Sequence, residues 1–310
     1  MKRILYLIAV AALIIPVACE PQDKPKSDEV VELADPATRE VAQVIEFAAT
    51  DRLTIESPSS NIIKTVYAVE LTDAGRAIIT STSSAIGPMS TKAVSMQKVE
   101  VQRFAQVDKK TFEVANFGTI SMPEEKKVIV QVNSRAFVKT LDGETFTTTN
   151  ALIRKPAPIS FISMKNAART WKVNSTILEV KTEGSALKET FPGGCDLATI
   201  AKFAADHGVA ALKDKLSKFN GYTVDEIIFS SNGSFLISFT GEGISPFAGT
   251  VNMKNDGSFS YSFGSDGNSF FNASSNGSVS FTKDGKMNLS ISSTIEGMTG
   301  TLKMNCSEAR

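Results

Sequence analysis

Histidine is all but missing from this chain: His207 is the only one in 310 residues. A His-dependent hydrolase or a histidine-ligated metal centre would have to hang on that one imidazole. It follows Asp206 in a helical stretch and reads as a surface residue. Net charge is also missing, because Lys+Arg and Asp+Glu both number 33. Nucleic-acid binders carry a basic excess to neutralise phosphates, so nucleic acid is not an expected partner. The sequence holds no Gly-x-Ser-x-Gly elbow and no phosphate-binding loop, and Gly241-Glu242-Gly243 reads as a turn. No two carboxylates stand in a recognisable pair for glycoside hydrolysis. Composition and motifs therefore give no catalytic residue, no metal ligand and no cofactor, and an enzyme is not expected.

Long apolar runs are confined to residues 4–17, which follow the positive start Met1-Lys2-Arg3. That run is too short for a confident membrane span and suits the core of a signal peptide. Val17-Ala18-Cys19 resembles a bacterial lipobox, whose cysteine is diacylated and begins the mature protein. Pro16 stands where that pattern prefers leucine, and ordinary signal cleavage with Cys19 incidental is the other reading. The lipobox reading makes residues 1–18 a signal peptide and 19–35 a lipidated, polar tether. The folded part would then stand off a membrane of a bacterial cell envelope, with the outer membrane the expected one. Cys195 and Cys306 remain. Outside the cytoplasm an even pair reads as a disulfide, with two reduced, buried thiols as the alternative.

Two-residue alternation dominates the remainder of the chain, and it is plainest over residues 222–306. Ile227 and Phe229 lead to Asn232-Gly233, then Phe235, Ile237 and Phe239. Val251 and Met253 lead to Asp256-Gly257, then Phe259, Tyr261 and Phe263. Phe271 leads to Asn276-Gly277, then Val279 and Phe281. Asp284-Gly285 comes next, then Met287, Leu289 and Ile291. Asn-Gly and Asp-Gly between alternating runs signal hairpins, because tight turns need positive φ at their central residues. Leu302, Met304 and Cys306 close this antiparallel meander. A strand from Trp171 to Val180 precedes it. Between them lie the turn Pro192-Gly193-Gly194 and a helical segment capped by Asp196, with Gly208 in its middle.

The first half obeys the same grammar less regularly. Asp35-Pro36 can start a helix, and Val41, Val44, Ile45 and Ala48 fall at helical spacing, so a short leading helix is expected. Strands are expected around Ile63 to Leu71 up to the turn Thr72-Asp73-Ala74-Gly75, then at Ala77 and Ile79, Val94 to Phe104, Phe112 to Val114 and Val128 to Val132. Residues 81–88 read as a small-residue loop, and Asp142-Gly143 as a further hairpin turn. Lys155-Pro156-Ala157-Pro158 breaks the pattern. The expected architecture is mainly β, with an N-terminal β-rich domain over 36–162 and a C-terminal one over 163–310. Eight antiparallel strands with one apolar face close into a barrel or fold into a sandwich, and closure removes exposed edges.

The opening Arg169-Thr170-Trp171-Lys172-Val173 resembles the Gly-x-Trp first strand of lipocalin-like domains, with Thr170 in place of the glycine. The repeated aromatic hairpins resemble the lipocalin-like domains of lipoproteins from Gram-negative bacteria. The resemblance covers about residues 166–310. It implies an eight-stranded barrel with Trp171 plugging one end, here with a helical insertion after the first strand. It also implies a cup for a small hydrophobic ligand. The candidate lining residues are Trp171, Phe229, Phe235, Phe239, Phe259, Tyr261 and Phe281. The same aromatic stripe reads equally as a filled core, since an eight-stranded barrel can be filled by its own side chains. A carrier of a small apolar molecule is the first functional expectation. A structural or adhesion lipoprotein, with a filled core and loops such as 241–246 for protein or glycan partners, is the second.

Overall fold

The computed structural model describes residues 31–52, 62–86, 95–132, 145–207, 220–241, 244, 246–263, 275–295 and 297–309. The chain from Val31 onward forms one compact unit built on two nine-stranded antiparallel sheets.

The first sheet contains β1 (Gln43–Arg52), β2 (Ile62–Leu71), β3 (Arg76–Ile86), β4 (Ser95–Asp108), β5 (Thr111–Val114), β6 (Gly118–Glu124), β7 (Lys127–Val132), β8 (Thr145–Thr148) and β9 (Leu152–Arg154). They run in spatial order from β8 back to β1, and β9 pairs with the far side of β1. The sheet is curled, and its concave face buries Ile45, Phe47, Tyr67, Val69, Ile79, Phe112, Phe117, Ile120, Val128 and Val130. Phe47 and Tyr67 stand opposite each other on β1 and β2 and stack with centroids 5.2 Å apart.

The expected leading helix is a strand. Only Arg39–Val41 makes a 3-10 turn, and β1 begins at Gln43. Val44, Ile45 and Ala48 satisfy a helical spacing, but Ile45 and Phe47 satisfy an alternating one, and the pairing with β2 selects the latter. β3 likewise continues to Ile86 through the small residues expected to form a loop. Asp142-Gly143, Gly208 and Phe271 lie outside the described residues.

The second sheet contains β10 (Thr170–Thr182), β11 (Ser185–Phe191), β12 (Thr223–Phe229), β13 (Ser234–Thr240), β14 (Phe247–Met253), β15 (Ser258–Phe263), β16 (Ser275–Phe281), β17 (Lys286–Ile295) and β18 (Met298–Glu308). β10 pairs with β18 from Trp171↔Glu308 to Lys181↔Thr299, so eight strands close into a barrel. β12 begins at Thr223 and meets β10 only at Thr170–Lys172. Beyond that point β11 pairs with β10 instead. This hairpin partner was not expected, because its sequence, Ser-Ala-Leu-Lys-Glu-Thr-Phe, is largely exposed and carries little apolar signal. The helical insertion expected after the barrel's first strand lies between β10 and β12, with β11 preceding it. Its described part is α2 (Leu197–Asp206), capped by Asp196, whose carboxylate accepts a hydrogen bond from the Ala198 N–H at 2.9 Å.

Asn232-Gly233, Asp256-Gly257 and Asp284-Gly285 form tight turns, each closed by a glycine N–H to the carbonyl three residues back. Their glycines have φ of 84°, 81° and 78°, a left-handed backbone that favours glycine. Asn276-Gly277 makes no turn and lies inside β16. Gly277 is there for space: a Cβ would stand 2.2 Å from Cζ of Phe259, whose ring covers it.

Candidate functional site

The seven aromatic residues expected to line a ligand cup all belong to the barrel interior or its edge. Trp171, Phe229 and Phe235 are fully buried. The Trp171 indole N–H donates to the carbonyl of Ala167 at 2.8 Å, its ring lies 5.8 Å from that of Phe281, and the Arg169 guanidinium sits 5.9 Å from its centroid. Phe229 and Phe235 stack at 4.9 Å, and Phe259 meets both edge-on at 5.7 and 6.0 Å. Tyr261 meets Phe235 at 5.4 Å and Phe263 at 5.3 Å. Phe239 meets Phe247 at 4.7 Å and Tyr222 at 5.0 Å. These separations are those of favourable aromatic pairs. The rings thus pack on one another between the strands. Burial pushes the Tyr261 hydroxyl above its ordinary pKa, opposed by a hydrogen bond with Ser275.

Cys195 and Cys306 both belong to this core, and both are free thiols in the structure; the bridge expected between them is not formed. Cys306 pairs with Val173 across the barrel's closing seam, whereas Cys195 sits before α2 with its carbonyl bonded to the Val224 N–H. Burial pushes both thiols up to about 12. A thiol so reluctant to ionise is chemically quiet at neutral pH. Cys19, the expected lipidation site, lies outside the described residues. His207 ends α2, with Nδ1 2.9 Å from the Phe203 carbonyl oxygen, and its ring packs on that phenylalanine. No cluster of metal-ligating side chains occurs among the described residues.

Sequence alternation missed the outer wall of the barrel. Ile228 and Leu236 point outward, opposite to Phe229 and Phe235, yet they are buried. They form a small apolar cluster with Ala74 and Ile78 of the first sheet, flanked by Val99, Val101 and Ala248. The signal was present as the unbroken triplets Ile227-Ile228-Phe229 and Phe235-Leu236-Ile237, since strands buried on both faces read as continuous apolar runs.

Polar contacts frame that cluster. Nη2 of Arg76 donates to both carboxylate oxygens of Glu226, at 2.9 and 3.0 Å. Glu70 accepts hydrogen bonds from the Ser230 hydroxyl, from the Asn232 amide at 3.0 Å and from the Ser234 hydroxyl at 2.7 Å. The buried Asp73 carboxylate accepts from the Ser231 N–H and from Arg39, each at 3.1 Å. Burial holds its pKa above the ordinary value, with the Ser231 N–H and Arg39 acting in the opposite direction. The turn of one hairpin is thereby locked against the turn of another, and the two sheets are held as one body.

Beside this junction the sheets leave a cleft of about 390 Å³, lined by Lys98, Val99, Glu100, Val101 and Gln102 of β4 and by Ser238, Phe239, Ile244 and Pro246 of the barrel. Its lining mixes both charges, amide and hydroxyl groups and apolar side chains. Part of the 241–246 loop singled out from sequence therefore borders a real concavity, and so does Phe239.

No protein-family model matches the chain, and no curated protein does. Among solved structures it is similar to a double mutant and a single mutant of the vaccine antigen transferrin-binding protein B from Haemophilus parasuis Hp5. In both cases identity is 7%, the TM-score is 0.25, and the match covers 86% of this chain and 75% of the other. A likeness that slight carries no argument about function.

Proposed function

We propose that this chain is a lipid-anchored envelope protein whose barrel is a filled scaffold and whose inter-sheet cleft receives a protein partner. The observation that carries this reading is the packing of Phe229, Phe235, Phe259 and Tyr261 on one another, all buried. A carrier needs room for cargo, and rings packed this closely on one another support a filled interior. The cleft has the mixed lining of a protein interface rather than the largely apolar lining of a small-molecule pocket. The anchor is supported by the charged start, the apolar run and Cys19, and no described helix is long and apolar enough to cross a membrane.

One observation favours the carrier reading as a second: the Thr176 hydroxyl on β10 is fully buried and has no hydrogen-bond partner among the described residues. Such a group is costly unless something satisfies it.

A photo-crosslinking residue placed at Ser238 in the cleft, and separately at exposed Asn288 on β17, tests the proposal in cells. A discrete protein adduct from Ser238 and none from Asn288 is expected. No adduct at Ser238, or equal adducts at both positions, would overturn it.

A further inference from the structure

The two ends of the barrel differ in construction. One end, its base, gathers the three tight turns at residues 230–233, 254–257 and 282–285. It also gathers the start of β10, the end of β18 and the short helix α1 (Ile162–Ala167), whose Ser163 hydroxyl donates to the Asn255 carbonyl at 2.6 Å. The other end carries the β10–β11 turn at Gly184, the start of β12 at Thr223 and the loop that reaches Pro246.

The first described residues are fastened to the base. The side-chain amide of buried Asn166 accepts from the Leu33 N–H at 2.9 Å and donates to the Val31 carbonyl at 2.6 Å. Buried Arg169 donates to the Ala34 carbonyl at 2.8 Å, to the Asn166 carbonyl at 2.9 Å and to Glu308 at 2.9 Å. Leu33 packs against the barrel core. Buried amide and guanidinium groups are costly unless bonded, so this strap is part of the barrel floor rather than a loose lead-in.

We infer that the base of the barrel is the face turned toward the lipid surface, and that the cleft and the opposite end are presented away from it. The inference rests on the proposed lipidation of Cys19. Twelve peptide units separate Cys19 from Val31, which span at most about 40 Å fully extended. A short tether leaving a fixed point at one end of the barrel restricts which end can approach the membrane. The base carries charges of both signs, among them Lys254, Asp256, Asp284 and Lys286, so the chain's exit point rather than electrostatic adsorption sets the orientation. The thirteen residues of β10 span about 40 Å from base to far end, which is enough for an energy-transfer measurement to tell the two apart.

The test uses the full chain, isolated from its own membranes and reconstituted into vesicles of phosphatidylethanolamine and phosphatidylglycerol carrying a headgroup acceptor dye. Donor dyes are attached at Asn255→Cys, in a base turn, or at Glu183→Cys, in the far turn; Cys195 and Cys306 are buried and do not compete. Transfer several-fold stronger from the Asn255 position than from the Glu183 position, and unchanged between low and high salt, is expected. Asn166→Ala, which releases the strap while leaving the ring core untouched, should narrow the contrast. Equal or reversed transfer in membrane-bound protein would overturn the orientation and leave the anchored reading standing. Protein that is never membrane-bound would overturn both.

Discussion

Two nine-stranded sheets in one chain close to different degrees, and strand length explains why. The C-terminal sheet closes through β10 and β18, of 13 and 11 residues, which pair along nearly their whole length, with β11 left as an extra strand on β10. The N-terminal sheet ends on β8 and β9, of 4 and 3 residues, and curls without an equivalent seam among the described residues. Closure gives the C-terminal sheet an interior in which large aromatic rings pack on one another, with Leu33, α1 and α2 adding side chains to the same core. The barrel's outer wall is nevertheless incomplete alone, because Ile228 and Leu236 need the convex face of the curled sheet to cover them. The closed lobe thus has its own aromatic core inside and depends on the other sheet outside.

The strongest break of that comparison is Phe235→Ala. Removing the ring at the centre of the stack should cost about 3–5 kcal/mol in urea denaturation. The neighbouring Leu236→Ala, on the opposite face, should cost about 2–4 kcal/mol if the junction is part of the fold. A cost well under 1 kcal/mol would mean that the sheets are independent bodies that merely touch.

Legibility tracked periodicity. The Asn232-Gly233, Asp256-Gly257 and Asp284-Gly285 turns and the Ile227, Phe229, Phe235, Phe259 and Leu289 face could be read residue by residue, because each hairpin is local and one face is wet. Asn276-Gly277 misled for the same reason: its glycine serves the neighbouring Phe259 ring, a contact across strands that no local pattern shows. The β1 segment was ambiguous between two periods, and β11 carried few apolar residues. The cleft and the Glu70, Asp73 and Arg76 contacts join residues that lie far apart in the chain, at separations of 150, 158 and 164 positions for three of the bonds, so spacing carries no trace of them. Only the doubly apolar triplets around Ile228 and Leu236 hinted that a second layer lies outside the barrel.

Smaller effects sharpen the picture of the junction. Arg76→Ala strips Glu226 of its charged partner and should destabilise by about 1–3 kcal/mol, read from the shift in urea midpoint. Asp73→Asn keeps an acceptor for the Ser231 N–H and removes a buried charge, so a change under about 1 kcal/mol is expected at neutral pH. The pH dependence has a definite sign. Because burial raises the folded pKa of Asp73, protonation favours the folded state. The wild type should gain stability relative to Asp73→Asn as pH falls through that raised value toward the ordinary carboxylate range, and the gain should disappear again as pH rises. Least of all, free thiols at Cys195 and Cys306 predict that melting under reducing and oxidising conditions coincides. A disulfide would separate the curves by roughly 2–4 kcal/mol.

The central claim is that the barrel is filled, and native mass spectrometry of the protein purified gently from its own envelope tests it most directly. The account predicts a mass with no small apolar companion and no thermal shift from a panel of lipids. A co-purifying apolar molecule, lost on denaturation and weakened by Tyr261→Ala, would contradict it and make the barrel a carrier after all.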